Sequence, residues 1–187
     1  MGILRYTAIT SLDGYIADGD GRFDWAHPDA EVHAFINDLE RGVGTHLYGR
    51  RMYEIMASWE TEPAIAEGSE IARDYAQIWQ AADKIVYSTT LTAPFTSRTS
   101  VERRFDPDAV RQLKARSPHD LGIGGAGIAA AAFAAGLVDE VQVVVAPVVV
   151  GGGTACLPAD VRLDLELVDT RRFDSGMVFL HYRAAGR

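Results

Sequence analysis

The chain has 187 residues, 48% of them apolar and 24% charged, and a formal net charge of −8. That length and composition fit one globular domain with a full core, expected to span residues 1–187. The acidic balance excludes a general binder of nucleic-acid backbones, so an anionic ligand has to be gripped locally, by a few arginines, backbone N–H groups and helix N-termini.

Cys156 is the only cysteine, which leaves no internal disulfide and no cysteine-based zinc site and fits a reducing compartment. Its simplest role is that of a small buried hydrophobe. The opening MGILRYTAITSLDG has no basic stretch followed by a long apolar run, and the most apolar segment, 128–150, is interrupted by Asp139, Glu140 and Pro147. A cytoplasmic protein without a membrane span is the expectation.

Residues 3–10 (ILRYTAIT) are rich in β-branched and aromatic types and read as a strand ending in a turn at Asp13 and Gly14. Val32, Phe35, Ile36 and Leu39 then fall at helical spacing before Gly42. A short strand at 45–48 runs through Gly49 into a helix that begins with Arg50 and Arg51. A helix is predicted over 65–82, a strand over 84–88, a helix from Pro107 and a strand near 120–123. The alanine-rich helix 126–136, closed by Gly136, delivers the chain to VQVVVA at 141–146, a run typical of a strand buried on both faces. Strands at 161–172 and 177–183, joined around Asp174, Ser175 and Gly176, close the chain as an antiparallel hairpin. The alternation defines an α/β domain.

Two turns carry chemistry. In LGIGGAGIAAAAF a strand ends in Gly122, Gly124 and Gly125, and a helix starts at once with Ala126, Gly127 and Ile128. Glycines let backbone approach a pyrophosphate and the helix N-terminus offers free N–H groups; close strand–helix packing is the competing role. Gly122, Gly124 and Gly127 match a Rossmann fingerprint, but that motif opens a first βαβ unit, whereas here only strands follow. In YGRRMYE, Gly49, Arg50 and Arg51 repeat the strand–glycine–helix arrangement with cations in the first turn, where the dipole disfavours them unless an anion sits between, or they are simply solvated.

Together these segments resemble the dihydrofolate reductase superfamily, most closely the branch with the reductase domain of riboflavin biosynthesis. SLDGYIA at 11–17, YGRRMYE at 48–54, KIVYSTT at 84–90, GGAGI at 124–128 and GLVDEVQVVVAPVVVGGG at 136–153 occur in the order of that branch, as does the closing GMVFLHYR at 176–183. The resemblance implies a three-layer α/β/α domain with a mixed, mostly parallel sheet and a C-terminal antiparallel hairpin. It implies NADPH as cofactor, with its nicotinamide near Ala8 and Gly14. Gly49, Arg50, Arg51, Gly124, Gly125, Ala126, Gly127 and Ile128 would then meet phosphates, and Ser88 and Thr89 the adenosine ribose. The implied reaction is hydride transfer to a C=N or C=O bond of a small heterocycle, of the 5-amino-6-(5-phosphoribosylamino)uracil or dihydrofolate type.

Asp13 is the candidate catalytic and substrate-facing group, with a turn role as its alternative; Trp25 and Glu31 are further substrate candidates, Glu31 also suiting the acidic start of a helix. The five histidines show no metal-binding spacing, and no serine-nucleophile elbow occurs. A homodimer is expected from the resemblance and from the apolar final strands. A non-catalytic NADPH-binding sensor is the competing function, to be told apart by whether the cavity beside the nicotinamide is open or filled.

Overall fold

A computed structural model describes residues 1–185. The alternation in the first segment builds β1 (Leu4–Ser11), with Leu4 and Tyr6 turned fully into the core. Gly14, at φ +88°, turns the chain into a short strand, β2 (Tyr15–Ala17). A 3-10 turn at Asp24–Ala26 precedes α1 (Ala30–Glu40), which starts where the Asp29 carboxylate accepts the Val32 N–H. Next come β3 (Val43–Gly49) and α2 (Arg50–Met56), then two single turns, α3 (Ser58–Thr61) and α4 (Pro63–Ala66), and α5 (Glu70–Ala81). The one helix expected over 65–82 is thus two, because Ser69 Oγ accepts the Ala72 N–H and caps a fresh helix just after Gly68.

The chain continues as β4 (Asp83–Tyr87), β5 (Thr99–Glu102), α6 (Pro107–Arg116), β6 (Asp120–Gly124), α7 (Ala126–Ala134) and β7 (Glu140–Ala146). It ends with β8 (Thr154–Ala155), β9 (Leu165–Arg172) and β10 (Val178–Ala184). The main sheet has eight strands in the order β5-β4-β3-β6-β1-β7-β10-β9. Neighbours from β5 through β7 are parallel, and β10 and β9 add the antiparallel hairpin.

Helices cover both faces. On one, Val32 of α1 packs with Val144 and Phe179, while Tyr53 and Met56 of α2 and Tyr75 and Trp79 of α5 pack with Tyr48 and Val86. On the other, Val110 of α6 and Ala129, Ala132 and Phe133 of α7 cover Leu4, Tyr6, Leu47 and Leu121. Cys156 is buried in this second cluster. This is the three-layer arrangement that the resemblance implied. No helix among the described residues is long and apolar enough to cross a membrane.

Sequence patterning misses three strands. β5 is a four-residue edge strand in which only Thr99 and Val101 are half-buried, too short to declare itself by alternation. β2 and β8 form a separate two-stranded ladder, and β8 is held by the Cys156 N–H on Gly14 carbonyl and by Tyr6 Oη donating to Cys156 carbonyl at 2.6 Å. β9 also starts at Leu165, later than the expected 161.

The triple glycine before β8 has a steric origin. At Gly153, φ is +129° and a Cβ would lie 2.1 Å from the Ala17 carbonyl oxygen, so only glycine lets the loop pass β2. Gly153→Ala should lower stability by at least about 2 kcal/mol, or roughly 4–8 °C in melting temperature for a chain of this size. An unchanged thermal melt would show that the two loops separate freely.

Candidate functional site

The sheet changes its winding between β3 and β6. These strands run parallel, with Tyr48 beside Gly124, yet α2 leaves the end of β3 for one face and α7 leaves the end of β6 for the other. A crevice therefore opens at the carboxyl ends of the two strands, where helices diverging to opposite faces leave a gap that open α/β sheets use for ligands. Gly49 and Gly125 form its lips. A Cβ built on Gly125 would lie 3.8 Å from the Gly49 amide nitrogen and 3.3 Å from Met52 Cβ, and Gly125 sits at φ +98°. Neither helix start has a side-chain cap, so first-turn N–H groups of both helices are left for another acceptor.

Arg50 does not reach across this crevice. Its guanidinium bonds Glu54 one turn along at 2.6 Å and the Thr90 hydroxyl at 2.7 Å. Arg51 is exposed and, among the described residues, makes no ion pair. Ser88 Oγ accepts the N–H groups of Thr90 and Leu91 and so shapes the turn after β4, leaving Thr89 exposed at its tip. The Arg50–Thr90 bond ties that turn to the start of α2.

A cavity of about 180 Å³ lies between α1, α2, α5 and the sheet. Thr7, Ala8, Ile9, Ile123, Gly124 and Val144 form its sheet side, and Ile36, Met52, Met56 and Tyr75 its helical side. Gly124 and Met52 stand at both cavity and crevice, so the two spaces adjoin. Glu40 and His46 also line the cavity, with His46 Nε2 3.8 Å from Glu40 Oε2. Burial pushes the Glu40 carboxyl up to about 7, against a smaller opposing pull from Arg5. Burial, with the Lys84 charge adding to it, drives His46 down to about 3, so its imidazole is neutral at physiological pH.

Asp13 and Glu31, the carboxylates expected to face the substrate, lie outside this cavity. Asp13 accepts the Val150 and Gly151 N–H groups at 3.1 and 2.7 Å and so ties the β1–β2 turn to the loop after β7; the Ser11 hydroxyl first, then these amides, hold its carboxyl below the usual range. Glu31 bonds Arg171 and the Asp174 N–H, pinning α1 to the β9–β10 hairpin. Neither lines the cavity. Trp25 packs against the Val144 and Phe179 cluster, and its buried indole N–H has no partner among the described residues. Gly14 belongs to the tight turn and accepts from Cys156. Glu40 and His46 were not anticipated: a glutamate in the last turn of a helix and an isolated histidine carry no motif. The one available signal was a histidine inside a short strand buried on both faces.

A mixed sheet wound this way, with a crevice at the switch point and an adjoining cavity under the first helix, defines a dihydrofolate reductase-like domain. The family model of the RibD C-terminal domain matches residues 3–179, and the chain belongs to that family. It is 29% identical to the uncharacterized protein YyaP of Bacillus subtilis, over 98% of this chain and 95% of the relative. A crystal structure from Shewanella sp. PV-4, of a protein assigned provisionally to riboflavin biosynthesis, superposes with a TM-score of 0.76 at 20% identity, covering 97% of this chain and 98% of the other. Dihydrofolate reductase of Enterococcus faecalis, complexed with NADP(H) and RAB-propyl, gives a TM-score of 0.64 at 15% identity over 98% and 97% of the two chains. These two structures share the fold.

Glu40 makes stability depend on pH with a definite sign. Its carboxyl is raised from 4.5 to about 7, so between those values the unfolded chain releases a proton that the folded chain keeps, and stability falls as pH rises. His46, lowered from 6.5 to about 3, works oppositely: its neutral burial loses stability as pH falls below 6.5. Glu40→Gln removes the first effect alone. Relative to the parent chain, the variant should gain about 2–3 kcal/mol between pH 5 and pH 8 in denaturant melts. A constant offset across that range would mean that Glu40 titrates normally.

Proposed function

We propose that the chain is an NADPH-dependent reductase that delivers hydride to a C=N or C=O bond of a small heterocycle held in the cavity under α1. One observation carries this reading: two uncapped glycine turns, Gly49 and Gly125, face each other at the mouth of an apolar cavity that is open, not filled by its own side chains. A sensor that only binds nucleotide needs the turns and has no use for the cavity. The likeness to a dihydrofolate reductase complexed with NADP(H) and membership of the RibD C-terminal domain family support the same reading.

The residues fit the cofactor. Gly125 at φ +98° keeps a side chain out of the crevice, and the first-turn amides of Ala126, Gly127 and Ile128 are suited to a pyrophosphate. Arg51, in the first turn of α2, makes no ion pair among the described residues and supplies a positive charge on that side of the crevice, and Arg50 would exchange part of its pairing with Glu54 for a phosphate. The turn at Ser88 and Thr89, tied to α2 through Thr90, borders the place for the adenosine side. Bound NADPH supplies the hydride; the protein aligns and shields it. Ala8 and Ile9 line the sheet wall on which a flat ring can lie, and Ile36, Met52 and Met56 keep water out. The buried single cysteine is consistent with a cytoplasmic setting.

NADPH at a hundredfold excess over its dissociation constant should stabilise the fold by about 2.7 kcal/mol, several degrees in melting temperature. Arg51→Ala should weaken that binding by about tenfold, as loss of a charge-assisted phosphate contact does. Absence of any thermal shift with NADPH or NADH would remove the cofactor from this reading.

Self-association belongs to the same proposal. β9 is one edge strand of the sheet, and Leu165, Leu167 and Val168 on it are exposed, a surface that pairing with a second copy would cover. Sedimentation should find a dimer that Leu167→Lys shifts toward monomer; a monomeric parent chain would overturn it.

A further inference from the structure

Glu40 and His46 stand at one end of the cavity with hydrogen-bonding capacity that nothing in the fold consumes. Their side chains are 12% and 5% exposed, and both line the cavity. The 3.8 Å between Glu40 Oε2 and His46 Nε2 is too long for a hydrogen bond, and among the described residues neither side chain has another hydrogen-bond partner. Buried polar groups in native proteins are almost always satisfied, so a carboxyl and an imidazole left open together point to a ligand that completes them.

The surroundings make this a built site. His46 lies flat against Tyr48, with ring centroids 5.3 Å apart and planes 5° apart. Tyr48 is itself occupied, its hydroxyl accepting from the Trp79 indole at 3.2 Å. A Cβ at Gly122 would come within 2.9 Å of His46 Nδ1, so the glycine in β6 creates the room for the imidazole. Arg5, the cation that acts on Glu40, is already bound to Asp120 and lies 3.7 Å from Glu140. The remaining walls, including Ile36, Met52, Met56 and Val144, are apolar.

We propose that Glu40 and His46 form the recognition end of the substrate cavity, holding a heterocycle by an edge that carries an N–H beside a C=O, as a lactam does. The proposal rests on the reading of this cavity as the substrate site. With one titratable proton between them, the pair offers a carboxylate acceptor beside an imidazole donor, or a carboxylic acid donor beside an imidazole acceptor. Either way it presents one donor and one acceptor, and a lactam edge complements both states. A ring lacking the N–H leaves one buried group unpaired, the situation that polar sites discriminate against most strongly. The cavity, at about 180 Å³, suits a single six-membered ring with small substituents, since about 150 Å³ holds benzene.

The test uses 2-pyridone and N-methyl-2-pyridone as probes, titrated into the full chain and followed by NMR. The parent chain should prefer 2-pyridone by at least about tenfold. Glu40→Leu and His46→Leu should each abolish that preference, while Glu40→Gln, which keeps one donor and one acceptor, should retain it within about threefold. Melting curves show which variants fold; if a leucine variant does not, the parent's choice between the probes and the glutamine variant decide. Equal affinity for the two probes, no binding of either at millimolar concentration, or a preference that survives Glu40→Leu would overturn the proposal. Probe discrimination without any NADPH binding would remove the cofactor reading and leave the recognition pair standing; NADPH binding without discrimination would do the reverse.

Discussion

The constraint on which the site depends is the lack of side chains on one face of β6. This strand lies between β1 and β3 near the middle of the sheet, and Gly122 and Gly124 point toward the layer that contains α1. Across an ordinary buried strand those positions would carry branched side chains filling the space between sheet and helix. Here a Cβ at Gly122 would press on His46, and one at Gly124 would come within 3.0 Å of the Tyr48 ring. The omitted side chains make a stacked imidazole and phenol into a cavity wall. The next residue, Gly125, extends the same device out of the sheet, where its positive φ lets α7 start beside Gly49.

An acidic protein thereby gains two electrostatically distinct ends to one cleft. At the mouth, two helix starts and Arg51 concentrate positive potential without altering a net charge of −8. At the closed end, burial suppresses charge: Glu40 is held up to about 7 and His46 down to about 3. The mouth suits an anion, and the interior a neutral, polar-edged ring. The Arg5–Asp120 and Glu140–Arg183 ion pairs and the Glu140–His181 hydrogen bond, farther along the same sheet face, do not reach into the cavity.

Much of this was legible in the sequence, because it rests on local chemistry. Strand–glycine–helix at 49–50 and again at 124–126 reads directly from residue type, and Gly136 marks a helix end by capping rules. That the two turns meet was not legible: 76 residues separate Gly49 from Gly125, and only the parallel pairing of β3 with β6 joins them. Asp13 and Glu31 drew attention as acids near the expected nicotinamide, yet each fills the local role that its position favours, one stapling a turn and the other anchoring the start of a helix. Glu40 and His46 are the opposite case. Nothing local marks them, and their meaning comes from a void that two glycines some eighty residues later leave open.

A carboxyl without a partner in an apolar wall is a standing loss of stability, and a fold under selection for stability alone would replace it with glutamine or leucine. Elsewhere the fold pairs most buried polar groups within the chain: the Asn37 amide donates to Ile71 carbonyl and Asp74, and Tyr53 Oη accepts two backbone amides while pairing with Thr96, whereas Arg5 Nε, Trp25 Nε1 and Asn37 Oδ1 have no partner among the described residues. The contrast matters. Those exceptions are single atoms; where the cavity meets the end of α1, a carboxyl and an imidazole are left open side by side. An unmet donor and acceptor at a fixed separation, backed by a stacked aromatic and by glycines that hold the space, is the arrangement expected when the missing partner is a ligand.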